Sequence, residues 1–245
     1  MFDLGAPDDD GGGMGLPSSC DDDAGAESTV GCIFYAVDLD QAGVFEDPQF
    51  AVVVSNVQGA GQAEVVVEER VDGVWTVVDG PVEVAPKSLH VFALPGHEQQ
   101  GSGIAIGGAY RVTASLPIIA YQFNPLQMGW WSSDASLLYP VRALDTIADV
   151  VQWGPGSGFG YVTVVASHDG TDVTVRPAVN TAGGGGMPPG LAGGAFTITL
   201  DEGDTATVRV AQENASLTGS RIESTEPIAV FSGHECAFVP AGVYA

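Results

Sequence analysis

Positive charge is scarce in this chain. Seven Lys and Arg face 31 Asp and Glu over 245 residues, a formal net charge of −24. Lys87 is the one lysine. Such a polyanion repels nucleic acids and anionic lipid heads, whose phosphates need Lys and Arg partners. Neither class of partner is expected, and the charge serves solubility instead. Long apolar runs are missing too, so no membrane-inserting helix is expected. Met1-Phe2-Asp3-Leu4 has no basic patch and no apolar run of a signal peptide. That leaves two readings open, a cytosolic protein or a segment of a longer precursor. Cysteine is sparse: Cys20, Cys32 and Cys236. No Cys-x-x-Cys or His-x3-His spacing supports zinc. There is no Gly-x-Ser-x-Gly elbow and no His-Glu-x-x-His helix, and the glycine run 183–186 lacks the Lys-Ser/Thr of a phosphate loop. No metal and no cofactor is expected. An odd cysteine points to a partner outside this segment if the chain is secreted, or to three inert thiols if it is cytosolic.

What is abundant is apolar residues at 45%, together with 34 Gly and 15 Pro. The mixture predicts a core of ordinary size joined by many turns. Residues 1–29 read as an acidic linker, with Asp8-Asp9-Asp10-Gly11-Gly12-Gly13 and Asp21-Asp22-Asp23 offering little to bury. The oxygen-ligand order of a calcium loop is missing there. Beyond the linker, runs rich in β-branched and aromatic residues fall at 32–37, 50–56, 63–69, 82–84, 88–94, 110–114, 118–123, 161–166, 172–176, 197–200 and 205–210, with clean period-two alternation at 197–200 and 205–210. That period predicts half-buried strands. Asp169-Gly170 offers the positive φ that a tight hairpin needs between 161–166 and 172–176. Residues 136–150 are the one place for a short helix.

An internal repeat organises these strands. Phe50-Ala51-Val52-Val53-Val54-Ser55-Asn56 resembles Tyr161-Val162-Thr163-Val164-Val165-Ala166-Ser167, offset by 111. Arg111-Val112-Thr113-Ala114-Ser115-Leu116-Pro117-Ile118 resembles Arg221-Ile222-Glu223-Ser224-Thr225-Glu226-Pro227-Ile228, offset by 110. Each half carries a strand–turn–strand between these anchors, and the differences fall in loops, which tolerate insertion. The expected fold is all-β: two tandem antiparallel β-sandwich-like units from an internal duplication. The first spans 30–125, a connecting segment spans 126–150, and the second spans 151–245 and is incomplete at its C-terminal end. A single larger double-sheet structure is the alternative.

These residues resemble a known family. Gly31-Cys32-Ile33-Phe34-Tyr35-Ala36-Val37-Asp38-Leu39 is similar to the opening motif of the IgGFc-binding protein N-terminal domain, in particular its bacterial, myxobacterial-type surface members. Ala166-Ser167-His168-Asp169-Gly170-Thr171-Asp172-Val173-Thr174-Val175 resembles that domain's central hairpin. Gly219-Ser220-Arg221-Ile222-Glu223-Ser224-Thr225-Glu226-Pro227-Ile228 and the following Ala229-Val230-Phe231-Ser232-Gly233-His234-Glu235-Cys236 resemble its late strand pair. The resemblance runs from about Gly31 to Ala245. It implies a secreted or cell-surface β-module of a multidomain, mucin-like or adhesive protein, next to other domains of a longer chain. It implies a disulfide between Cys20 and Cys32. It also implies a further cysteine beyond the present segment, leaving Cys236 unpaired by truncation.

The candidate functional residues are few. Trp130-Trp131, with Tyr139 and Asp134 and with Tyr121 and Phe123 nearby, form either an aromatic platform for a sugar or protein ligand or a filling between the two halves. His168-Asp169 and His234-Glu235 set an acid beside a histidine, but strand neighbours point to opposite faces. Asn214-Ala215-Ser216 matches a glycosylation acceptor. The expected function is a non-catalytic extracellular or cell-surface binding or adhesion module with an unknown protein or glycan ligand. The alternatives are a structural spacer and a hydrolase using two carboxylates in one cleft.

Overall fold

The computed structural model describes residues 16–21, 28–42, 49–126 and 134–243. Most of the acidic stretch 1–29, and both Trp130 and Trp131, lie outside the described residues. Fourteen strands are described: β1 Gly31–Ala36, β2 Phe50–Ser55, β3 Ala63–Val71, β4 Val74–Val84, β5 Leu89–Leu94, β6 Gly103–Ala105, β7 Tyr110–Phe123, β8 Ala135–Leu137, β9 Asp145–Asp149, β10 Gly160–Ala166, β11 Thr171–Arg176, β12 Phe196–Leu200, β13 Thr205–Arg209 and β14 Arg221–His234. Within 136–150 the helical expectation shrinks to one 3-10 turn, Val141–Ala143.

Each unit is one antiparallel sheet folded over on a long bent strand. In the first, the start of β7 pairs with β1 and β3, and its end pairs with β2 and β8. The bend falls at Ser115-Leu116-Pro117, where Pro has no N–H to give to a ladder. Expected as two strands around a turn, this stretch is one strand serving two layers. Strands β4 and β5 close the outer ends of the order β4-β3-β7-β2-β5. Phe34, Phe50, Val52, Phe92, Tyr110 and Ile118 fill the space between the layers without exposure. The second unit repeats the plan in the order β12-β11-β14-β10-β13, with β9 on β14 as β1 is on β7. Its core holds Val162, Val164, Val173, Leu200, Val208 and Ile222.

Two sequence expectations need correction. Strands β10 and β11 do not form a hairpin: β14 lies between them, and Asp169-Gly170 joins strands of different layers. Gly170 does take the positive φ expected, +68°. The repeat also aligns differently. Ladder positions and turns match Val52 to Val162 and Asn56 to Ala166, one position earlier than sequence likeness places them, so both anchors share a single offset. Asn56 N–H donates to the Ser88 carbonyl as Ala166 N–H does to the Asp204 carbonyl, and Lys87 and Gly203 both have positive φ in the matching turns. A one-residue slip would put Val53 in the place of inward Val164, on the wrong face of the sheet.

The two units share a packed joint. Tyr35, Val37, Leu39 and Ala109 of the first meet Tyr161, Val165 and Ala229 of the second, with Trp75 packed alongside. Strand β6 crosses over to extend the second sheet beside β13. Residues 126–150, expected to connect, contribute β8 to the first sheet and β9 to the second. Cys20 and Cys32 form a disulfide, and Gln58 holds the neighbouring segment by donating to the Pro17 carbonyl.

Candidate functional site in the groove between the units

Where the sheets diverge beyond the joint, they leave a groove of about 680 Å³. Its walls come from 39–42 after β1, 124–125 after β7, 134–136 at β8, 151–153 after β9 and 232–239 at and after the end of β14, with Ser157 and Tyr161. Trp153 forms an apolar wall with Phe238 and Val239. Its indole N–H donates to the Phe238 carbonyl at 2.8 Å, which fixes the ring while 46% of the residue stays exposed. A second hollow of about 200 Å³ adjoins, sharing Ser136 and Ser232, and Tyr139 lines it with Leu137 and Phe231.

Acidic groups sit along this groove, and hydrogen bonds hold them. Asp40 is buried and accepts from Gly101 N–H at 2.7 Å. Burial pushes its carboxyl up to about 6, helped by Glu235 and Glu98 and opposed by the Gly101 N–H and Arg209. Tyr161 donates its hydroxyl to the Asp40 carbonyl at 2.7 Å, tying the 39–42 strap to β10. Glu235 accepts from Phe159 N–H at 3.1 Å and faces Arg209 at 3.4 Å. Asp134, on the rim, has its carboxyl pushed up by burial although the residue as a whole is exposed.

The histidines are committed to structure. His234 Nδ1 accepts from Cys236 N–H at 3.0 Å, so its other nitrogen carries the proton and donates to the Gly154 carbonyl at 3.1 Å. Burial lowers its pKa accordingly. Cys236 is a free, half-buried thiol beside it. Ser167, His168 and Asp169 carry the three side-chain types of a nucleophile, base and orienter. Ser167 Oγ lies 2.9 Å from His168 Nδ1, but its hydroxyl donates to the Pro227 carbonyl, so the ring nitrogen is the donor in that contact, and Asp169 pairs with Arg70 at 2.7 Å instead of orienting His168. A nucleophile must give its proton to the base, and this one gives it elsewhere.

The sequence-predicted residues divide as follows. Asp134 lines the groove and exposed Tyr139 lines the adjoining hollow. Trp130 and Trp131 lie outside the described residues, and so does any role for them in filling the joint. Among the described residues Trp75 packs against the joint instead, with the Arg111 guanidinium 4.1 Å over its ring. Trp153 was missed because its neighbours in the groove are far away in sequence. The sequence carries no signal for it, since 136–150 reads as the place for a short helix and the match of Trp153 to Leu39 emerges only from the ladder register. Among the described residues no group of three or more His, Cys, Asp or Glu could hold a metal ion, and no helix is long and apolar enough to cross a membrane.

Comparison with known proteins is sparse. No curated protein matches the chain, and no solved structure does. Residues 134–245, which contain β14 (one strand where the resemblance implied a strand pair), Trp153, His234 and Cys236, match the family model described as IgGFc binding protein.

Proposed function

We propose that this chain is a non-catalytic binding module of an extracellular or cell-surface protein, with its ligand seated in the groove between the two units. One observation carries the reading: a groove of about 680 Å³ between two sheets, walled by an indole that its own N–H bond holds in place. A fixed, exposed aromatic face costs little ordering entropy and suits a sugar ring or an apolar anchor of a protein. Three further features support it. The Cys20–Cys32 disulfide belongs in an oxidising compartment. The family match points to a binding module. Asp40, Glu235 and His234 are spent on hydrogen bonds that build the groove. The adhesive role, the neighbouring domains of a longer chain and the bacterial surface origin belong to this proposal as well.

Glycan and protein arrays test the reading, with the immunoglobulin Fc of the family's description among the proteins. Trp153→Ala and Tyr139→Ala are expected to weaken binding about tenfold or more. A Trp130→Ala/Trp131→Ala double variant measures whether that pair extends the platform. Binding that survives Trp153→Ala removes the groove from the proposal, and hydrolytic turnover abolished by Asp40→Asn would replace it with the carboxylate hydrolase. A second reading, a rigid spacer, is favoured by the packed joint. It expects no ligand on any array and a fixed angle between the units in solution scattering.

A further inference from the structure

The joint between the units uses one sheet face and one strap. The face belongs to the second unit: Tyr161, Thr163 and Val165 of β10, Thr205 and Thr207 of β13, and Ala229 of β14, all buried. The strap belongs to the first unit and follows β1, where Val37 and Leu39 are 4% and 9% exposed. Because the units are repeats, each also owns the other's part. The ladder alignment matches Thr163 to Val53, Ala229 to Ile119, Phe231 to Tyr121, and Thr205 and Thr207 to Leu89 and Val91. It matches Phe34 to Ala148 through their partners Val112 and Ile222, so Val37 and Leu39 correspond to Val151 and Trp153.

Both of these counterparts carry exposed apolar residues, although Ala51, the counterpart of Tyr161, is buried and Val53 and Ile119 are half-buried. Val91, Val53, Tyr121 and Leu137 lie side by side across β5, β2, β7 and β8, an uncharged row on the outer face of a chain with net charge −24. Leu89, on the same face, is 63% exposed. In the second unit Val151 is 78% exposed and Trp153 46%. The first unit thus presents an exposed face and the second an exposed strap along the groove, each a copy of a part that is buried in the internal joint. We infer that the Val151–Trp153 strap of one copy docks on the β5-β2-β7-β8 face of a second copy, repeating the internal joint between molecules. Such a contact is head-to-tail: it joins two different surfaces, leaves one of each free, and so extends into chains.

The new joint is weaker than the internal one. Arg111 recurs as Arg221, but Glu202, which holds Arg111, matches Pro86 in the turn beside Lys87, so the ion pairs are not repeated. What remains is apolar contact between two polyanions. Its strength is expected to fall at a Kd of about 10 µM to 1 mM. Salt is expected to tighten it, because raising NaCl from about 0.05 to 0.5 M cuts the Debye length from about 14 to about 4 Å.

Sedimentation velocity on the full chain, from about 10 µM to about 1 mM, tests this. The wild type is expected to grow past dimers with concentration, and more so in salt. Val91→Lys spoils the face and Val151→Lys the strap; both lower the net negative charge, so any loss of association is not added repulsion. Each variant alone is expected to stay monomeric. Their mixture is expected to form dimers and nothing larger, since it holds one good face and one good strap. A monomeric wild type throughout, a Val151→Lys variant that still self-associates, or a mixture that stays monomeric would each overturn the inference. Should Val91→Lys melt early, Leu89→Lys replaces it on the same face. Val91 lies away from the groove, so Val91→Lys losing association while keeping array binding separates this inference from the proposed function.

Discussion

Asp40 shows how a single buried acid sets the pH response of the groove. Burial raises its carboxyl from the ordinary value of 3.8 to about 6. The folded chain therefore holds a proton there that the unfolded chain has released. The stability this contributes is full below about pH 4 and is lost as pH rises to about 6, and the span amounts to about 3 kcal/mol at most. His234 acts in the opposite sense. Its pKa is lowered by burial, so its contribution is full above the ordinary histidine range and fades as pH falls through the lowered value. Asparagine at position 40 can still accept from Gly101 N–H without carrying charge. Asp40→Asn is expected to flatten the melting temperature between pH 4 and 6 and to stabilise the chain by about 1–2 kcal/mol at pH 7. Thermal melts across that range decide it, and an unchanged slope would mean that Asp40 is ionised in the fold at no cost.

The elements show where sequence reading succeeds and where it stops. Runs of β-branched and aromatic residues located most of the long strands, and pairs such as Val112 and Ile222 recur with their neighbours, but the first half of β4 lies outside the expected runs, and the short strands β6, β8 and β9 carry too few such residues to be read. Pairing was less legible. Asp169-Gly170 looks like a hairpin turn because local chemistry permits one, while the partner that separates β10 from β11 lies much further along the chain, at Arg221–Ser224. The groove was least legible, since Leu39, Asp134, Trp153 and Phe238 are brought together only by tertiary folding. The disulfide pins the segment before β1, next to the strand whose continuation makes the joint. It closes a short loop, with a sequence separation of 12, worth about 3 kcal/mol at best by chain entropy. A Cys20→Ser/Cys32→Ser variant is expected to melt lower by that amount or less. Reductant should lower the wild type to the same temperature and leave the variant unmoved. A reductant effect that persists in the variant would implicate Cys236 in an intermolecular bridge.

At the scale of the whole molecule, the joint decides whether two repeats behave as one body. Glu202 of the second unit accepts from the Tyr35 hydroxyl at 2.7 Å, the Trp75 indole at 3.3 Å and Arg111 at 3.4 Å. Arg111 also pairs with Glu68 at 2.9 Å and lies over Trp75. Arg70 bonds both Asp169 and the Glu202 carbonyl. Burial and Glu202 together push the Tyr35 hydroxyl well above its usual range, so it remains a donor at any working pH. Each of these contacts crosses from one unit to the other or supports one that does. Ion pairs alone would contribute little, since several groups are partly exposed and salt screens them. The apolar part carries more, and Trp75 belongs to both: its ring packs against the joint while its N–H reaches Glu202. Trp75→Ala is expected to cost about 2–4 kcal/mol and to split a single calorimetric transition into two, one per unit. Glu202→Gln keeps the ring and removes the charge, and is expected to cost about 1–3 kcal/mol without splitting the transition. Two transitions already present in the wild type would mean that the units melt independently and that the joint fixes their geometry without coupling their stability.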